Sequence, residues 1–380
     1  MKFDPSARFL LVSSFLIPLG SFMVLPFMSV FLHERFGLGL GTVGVVLAVA
    51  SLVQFSGGIV GGVVAERIGV RRAMVLALVV RTSGFCCFLA GLSWSPAAVL
   101  ALVLTCCGAA LYLPANKAYL VEGVSGERRP LFLSASNAAL NAGMAAGPLL
   151  AGPFVLSAPG LVFAVVSGLF LAMTFGHALL PERPVPQRRE ASPLAGLSLL
   201  PFCATAISFY LYFFMQHFLA VFAVPRTSPE FYSVVLLINA GLVIVLQPLV
   251  SGAVARMPYR YALLIGFAGF TVGMAVLPHA ILVGAVLITL GDIVLFLKNE
   301  LVALDTTPRS AAVVFGQQRL AAGLGACASG LVGGVLYDSV GGTTFWLVVA
   351  AQCVLLPPLL LLARRFRRGS TGVAVRAVHD

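Results

Sequence analysis

The stretch Gly62-Val63-Val64-Ala65-Glu66-Arg67-Ile68-Gly69-Val70-Arg71-Arg72 decides how this chain is read. It lies between two long apolar runs, near 40–65 and 73–93. Charges this dense do not enter hydrocarbon, so the stretch marks a membrane face where one span ends and the next begins. Gly62 permits close helix approach, and Gly69 suits the tight turn between the spans.

Outward from that turn the chain is apolar almost throughout. Of 380 residues, 60% are hydrophobic and 10% charged, against roughly 25% charged in a soluble domain. A span needs about 20 apolar residues. Twelve runs are predicted, near 8–32, 40–65, 73–93, 97–121, 130–156, 160–180, 200–223, 231–255, 260–278, 281–303, 311–336 and 343–363. The expected fold is an all-α integral membrane protein with twelve transmembrane helices. Lys2 and Arg8 precede the first run, which continues past Phe31 without a small-x-small cleavage site, so it reads as an uncleaved span. Seven cysteines, among them the pairs Cys86-Cys87 and Cys106-Cys107, fall within apolar runs and read as inert packing residues. The net charge of +11 does not point to nucleic acid, because the bases sit at helix ends instead of on one face.

Those bases orient the chain. With the N-terminus cytoplasmic, the inside connections carry Arg67, Arg71, Arg72, Arg128, Arg129, Arg183, Arg188, Arg189, Arg256, Arg260 and Arg309. The termini add Lys2, Arg8, Arg364, Arg365, Arg367, Arg368 and Arg376, whereas the outside connections carry only Arg35 and Arg226. Both termini are therefore expected inside, in a cell inner membrane. The longest polar break, Pro181 to Glu190, falls after the sixth run. It divides the chain into a six-helix bundle over 1–181, a cytoplasmic linker over 182–199, a second bundle over 200–366 and a tail over 367–380. The halves match weakly. A shift of 183 places Gly108 on Gly291, Asn116 on Asn299, Lys117 on Glu300 and Glu122 on Asp305. A shift of 182 places Ser134 on Gly316, Asn137 on Arg319, Gly143 on Gly325 and Gly152 on Gly334. A repeat of this kind is a known transporter architecture.

The loop from Gly62 to Arg72 resembles the signature of the major facilitator superfamily: glycine, three residues, an acid, a base, any residue, glycine, then bases. Its place after the second span agrees. The resemblance implies two pseudo-symmetric six-helix bundles that rock about a central site. It also implies that Glu66 locks the cytoplasmic side by meeting the N-terminal end of span eleven, where the helix dipole favours an anion. The family often has a base after the second glycine, in relay with an acid ending span four. Here that position is Val70, so Glu122 would have to pair with Arg67 or Arg71. Span five carries Gly143, Gly147, Pro148 and Gly152, a pattern similar to the antiporter signature of the superfamily's drug:proton exporters. That signature has glycine where this chain has Ser134 and Ala151. Gly57/Gly61, Gly58/Gly62 and Gly330/Gly334 repeat the small-xxx-small spacing and read as close-packed seams.

Charges at membrane depth usually have a task. Asp292 in span ten is the proton-carrier candidate, with Glu300 second. A structural ion pair with Arg81 or Lys298 is the bland alternative for Asp292, and a pair with Lys117 that for Glu300. Arg81, Lys117, Lys298 and Arg319 are basic candidates for a substrate cavity, with Gln54, Asn137, Gln216 and His217 as neutral ones. The excess of bases hints at an anionic substrate. The aromatic residues of span seven, Phe209 to Phe218, fit either an amphipathic ligand or lipid-facing packing. The first reading is a proton-coupled exporter of amphipathic small molecules, such as drugs, secondary metabolites or siderophores. Its partners are substrate, protons and the bilayer, and it acts as a monomer. The second is an uptake symporter for an organic anion or nutrient. A membrane enzyme is the remote third, because His33, His177, His217, His279 and His379 are scattered. No phosphate-binding loop, metal cluster or cofactor site is evident.

Overall fold

The computed structural model describes residues 5–28, 31–32, 46, 49–50, 52–122, 124, 126–155, 157–183, 192–227 and 229–358. Lys2, Arg35, Arg188, Arg189 and the bases from Arg364 onward lie outside the described residues, as do parts of run two, residues 184–191 of the linker and the tail. Each of the twelve apolar runs contains helix. The helices are α1 (Pro5–Phe22), α2 (Gly58–Ile68), α3 (Val70–Ala90), α4 (Ser95–Val121), α5 (Arg129–Val155) and α6 (Pro159–Ala178). The second half supplies α7 (Leu199–Ala223), α8 (Pro229–Arg256), α9 (Tyr259–Val276), α10 (Ile281–Thr306), α11 (Ala311–Val340) and α12 (Gly342–Pro358). No strand occurs among the described residues. Nine of these helices are long and apolar enough to cross a membrane among the described residues, and α12 is a shorter apolar one.

Proline and glycine punctuate the helices as their chemistry demands. Prolines stand in the first turns of α4, α6 and α8, where a missing N–H costs nothing. Gly69 has φ +94° and separates α2 from α3, and a Cβ there would meet nothing within 4 Å. Its N–H closes α2 on the carbonyl of Ala65 at 3.0 Å. The outward surface is apolar as well: Leu149 and Leu249 are each 75% exposed. Hydrocarbon outside does not drive such helices together, so backbone proximity and polar contacts must.

Contacts divide the chain into two compact units. The first contains 1–197, 243–252 and 307–320; the second contains 198–242, 253–306 and 321–380. In the first, α3 packs on α4 and α6, and α1 on α5. In the second, α9 and α7 pack on α10. The aromatic face of α7 is helix packing: Phe214, Phe218 and Phe222 lie against Phe345 or Trp346 of α12. Phe209 stacks on Phe296 of α10, ring centroids 4.2 Å apart.

The two units repeat one design. Gly143 of α5 sits against the Phe15 carbonyl and the Leu19 N–H of α1. Gly325 of α11 sits against the Ala206 carbonyl and the Tyr210 N–H of α7. A Cβ on Gly108 of α4 would meet the Ala77 carbonyl of α3 at 2.6 Å, and one on Gly291 of α10 would meet the Gly266 carbonyl of α9 at 2.6 Å. Asn116 donates to Ser14 of α1 at 3.3 Å, and Asn299 to Ser208 of α7 at 3.4 Å. The weak matches between the halves therefore fall on equivalent contacts.

Candidate functional site

The loop after α2 is part of a cluster of charges. Gly62 lies on α11: a Cβ there would meet the Ala312 carbonyl at 2.5 Å. Gly58 likewise meets the side chain of Arg319. This approach brings Glu66, 3% exposed, to Arg309, two residues before α11. The guanidinium forks onto the carboxylate, Nε to Oε1 at 3.3 Å and Nη2 to Oε2 at 2.5 Å. Glu66 was expected to meet the end of span eleven through the helix dipole; an arginine side chain does the pairing. Arg309 also donates to the carbonyls of Ser192 and Ala195, and Gln317 of α11 to those of Pro193 and Ala195. The end of the mid-chain linker is thus tied to the same point.

Arg71 donates to the carbonyls of Ala178 and Leu180 and to Glu182, which Arg72 also meets at 2.9 Å. Arg67 is exposed. Neither Arg67 nor Arg71 pairs with Glu122, so the expected relay is corrected. Both carboxylate oxygens of Glu122 are buried without a hydrogen-bond partner. The nearby Arg183 turns its Nη1 to the main-chain carbonyls of Tyr119 and Glu122, capping α4. Burial pushes the Glu122 carboxyl up to about 7, against the opposing pull of Arg183.

The glycine seams are partly as expected. Gly57 and Gly61 face α4, whereas Gly58 and Gly62 face the start of α11. Gly143 and Gly147 lie on α1, and α5 runs unbroken through Pro148 toward Gly152. Gly330 and Gly334 form no seam: the first meets only His217 beyond 3.5 Å, and the second meets nothing. Gly325 and Gly333 make the close contacts of α11 with α7 instead.

At membrane depth the charges separate into two kinds. Lys298 donates to the Ala255 carbonyl at 2.7 Å and has Asp305 nearby. Lys117 lies 5.6 Å over the Phe315 ring, and Arg319 4.6 Å over Phe55. Glu300 is half-buried, two turns beyond Asp292 on α10. Arg81 and Asp292 differ. Arg81, 5% exposed, donates to the Ser21 hydroxyl and lies over Phe170, and its Nε has no partner. No acid pairs with it among the described residues. Asp292, 7% exposed, has no base within ion-pair distance among the described residues. The bland reading of Asp292, a pair with Arg81 or Lys298, therefore has no contact behind it.

Neutral polar contacts join the helices packed on α10. Thr289, one turn before Asp292 on α10, contacts the Asn239 amide oxygen of α8. On α7, Gln216 donates to the Tyr212 hydroxyl, and the Tyr212 ring packs on Phe296 of α10. The sequence reading passed over Tyr212, Asn239 as a neighbour, Thr289 and the pairing of Arg309. Gln54 meets only the Cys106 thiol at 3.8 Å, and Asn137 accepts from Asn141 through its carbonyl. His217 is exposed, its ring 5.2 Å from that of Phe213. Among the described residues no group of His, Cys, Asp and Glu can hold a metal.

Comparison with known proteins agrees with this architecture. Residues 10–329 match the family described as the Major Facilitator Superfamily. The multidrug resistance protein MdtH of Cronobacter sakazakii is 32% identical over 46% of this chain and 43% of its own. The chain thus spans about half the length of several relatives it matches. The MFS-type transporter YdeE of Escherichia coli is 23% identical over 95% of this chain and 96% of its own. Among solved structures, the human organic anion transporter MFSD10 superposes with a TM-score of 0.77 at 16% identity, covering 94% of this chain and 100% of that one. At that identity the likeness is one of fold.

Proposed function

The chain belongs to the major facilitator superfamily, and on that premise we propose that it exports an amphipathic small molecule by proton antiport. It is a multi-pass membrane transporter, not an enzyme. The observation that carries the proton half of the proposal is Asp292: a carboxyl buried in α10 without a cation. A carboxylate left so in a membrane helix costs several kcal/mol, so a proton is the natural partner for it. The outward direction draws on the glycine-proline pattern of α5 and on the name of the MdtH relatives. In this reading the bundles 1–181 and 200–366, joined by the linker 182–199 and followed by the tail 367–380, alternate access to a central site. The monomer lies in the inner membrane with both termini cytoplasmic, and Glu66 with Arg309 holds the cytoplasmic side. Arg81 favours a second reading, uptake of an organic anion, because it is a buried cation without an acid.

The test is transport of ethidium by proteoliposomes under an imposed pH gradient. We expect the gradient to drive the dye uphill in the wild type and not in Asp292→Asn. Equal uphill movement in the variant removes Asp292 as carrier. Movement indifferent to the gradient in the wild type ends the antiport reading.

A further inference from the structure

Residues 192–197, near the end of the linker, form two turns. Ala195 donates to the Ser192 carbonyl at 3.1 Å and Leu197 to that of Leu194 at 3.2 Å. Their outer side is exposed, Leu194 by 47%. Their carbonyls meet Arg309 and Gln317 instead of water. Arg309 Nη1 donates to Ser192 at 3.3 Å and to Ala195 at 3.2 Å. Gln317 Nε2 donates to Pro193 at 3.1 Å and to Ala195 at 3.4 Å. One carbonyl oxygen accepts two bonds, so Ala195 serves both donors.

The plane of the guanidinium divides its work. Nε and Nη2 meet Glu66, and Nη1 is left for the segment. Gly196 closes the contact from the other side. Its φ is +70°, and a Cβ there would meet the Arg309 Cγ at 3.2 Å and the Pro308 Cγ at 3.5 Å. Such a φ suits glycine and strains a branched residue. The ion pair behind the segment is dry: the side chains of Arg309 and Glu66 are 1% and 4% exposed. Arg72 and Glu182, a pair made from the same loop after α2, are 65% and 50% exposed. Both pairs lie where a helix meets the membrane face. One of them is covered by backbone and the other is wet.

We infer that residues 192–197 are a lid over the Glu66–Arg309 pair, and that Gln317 is the residue that positions it. Gln317 donates to the lid and to neither charge. Under the lid the pair is out of reach of dissolved ions. With the lid lifted it becomes a surface pair, weak and screened by salt. The dependence runs one way. The lid keeps its bonds to Gln317 when the pair separates, but the pair loses its shelter when the lid lifts.

The lid stands on these contacts alone; its effect on transport rests on the reading of the pair as the hold on the cytoplasmic side. Two variants lift it from different points. Gln317→Leu removes its two bonds, and Gly196→Val strains an exposed turn outside every helix. Thermal unfolding of the full chain in detergent, at about 0.05 and 0.5 M sodium chloride, reads the shelter. Relative to wild type, each variant should lose a further 2–4 °C or so at the higher salt, on the order of one surface ion pair. Adding Glu66→Gln removes the charge that salt screens and should abolish that extra loss. A plain packing defect would lower melting equally at both salts. Deuterium uptake at residues 192–197 should quicken about tenfold in Gln317→Leu. No added salt dependence in either variant, a dependence that survives Glu66→Gln, or unchanged uptake would overturn the lid. If melting and uptake behave as stated but ethidium transport by Gln317→Leu responds to salt as wild type does, the pair is not the hold and the lid stands.

Discussion

Two buried carboxylates, Glu66 in the first unit and Asp292 in the second, share a chemistry and differ in everything around it. Glu66 meets a guanidinium through two bonds, and that guanidinium is held further by two carbonyls. Asp292 is buried in α10 with no base within ion-pair distance among the described residues. On the reading proposed above, the carboxylate fixed by a cation serves as structure and the one left without a cation serves as the carrier. On that reading the partner, not the carboxyl itself, separates the two roles.

The sharpest way to break this comparison is to remove each partner in turn. Arg309→Ala leaves Glu66 buried and unpaired, and should lower unfolding stability by about 3–5 kcal/mol. Asp292→Asn should cost little by the same measurement, thermal unfolding in detergent. The double variant Glu66→Ala with Arg309→Ala should recover most of the loss. A large loss for Asp292→Asn would mean that Asp292 is structural too. A middle effect is expected where the units agree. Gly143→Val and Gly325→Val force a side chain into the same backbone contact, and each should cost about 1–3 kcal/mol. A loss in only one would show that the repeated contact does not bear equal weight in both units.

The smallest effect concerns Glu122, a third carboxylate between the other two in character. Its folded value of about 7 lies above the ordinary 4.5. The native state therefore binds more protons than the unfolded one in that window, and stability falls as pH rises through it. Glu122→Gln should raise the melting temperature at pH 8 and leave it unchanged at pH 4. An equal gain at both pH values would place its effect outside ionisation.

Much of the fold was legible because lipid imposes a coarse rule on every span. The twelve runs, the turn at Gly69 and the matches Gly108 with Gly291 and Gly143 with Gly325 all follow from residue type and spacing. The site was less legible, since it depends on the rotation of one helix against another. Arg309 reads as one of eleven inside bases until α2 brings Glu66 to it. Tyr212 reads as one more aromatic residue of a packing stripe, because nothing along α7 says which face meets α10. The match of α1 to α7 was hidden as well. Its shift, 206 less 15 or 210 less 19, is 191, not the 182 or 183 of the later helices, and its contacts are made by backbone atoms that leave no mark on composition.

The glycine contacts of α4 and α10 carry one more consequence. Against Gly108 stand Ala77 and Arg81 of α3; against Gly291 stand Gly266 and Phe270 of α9. Taking 77 from 266, or 81 from 270, gives 189, so Arg81 answers to Phe270 in the other half. By the shift of 183, Asp292 answers to Ala109. A duplicated ancestor would have carried the same residue at both members of each pair. The contacts present in both halves form a shared scaffold, and Arg81 and Asp292 stand where the halves depart from it. Subtracting one half of such a molecule from the other thus separates common packing from what each half carries alone.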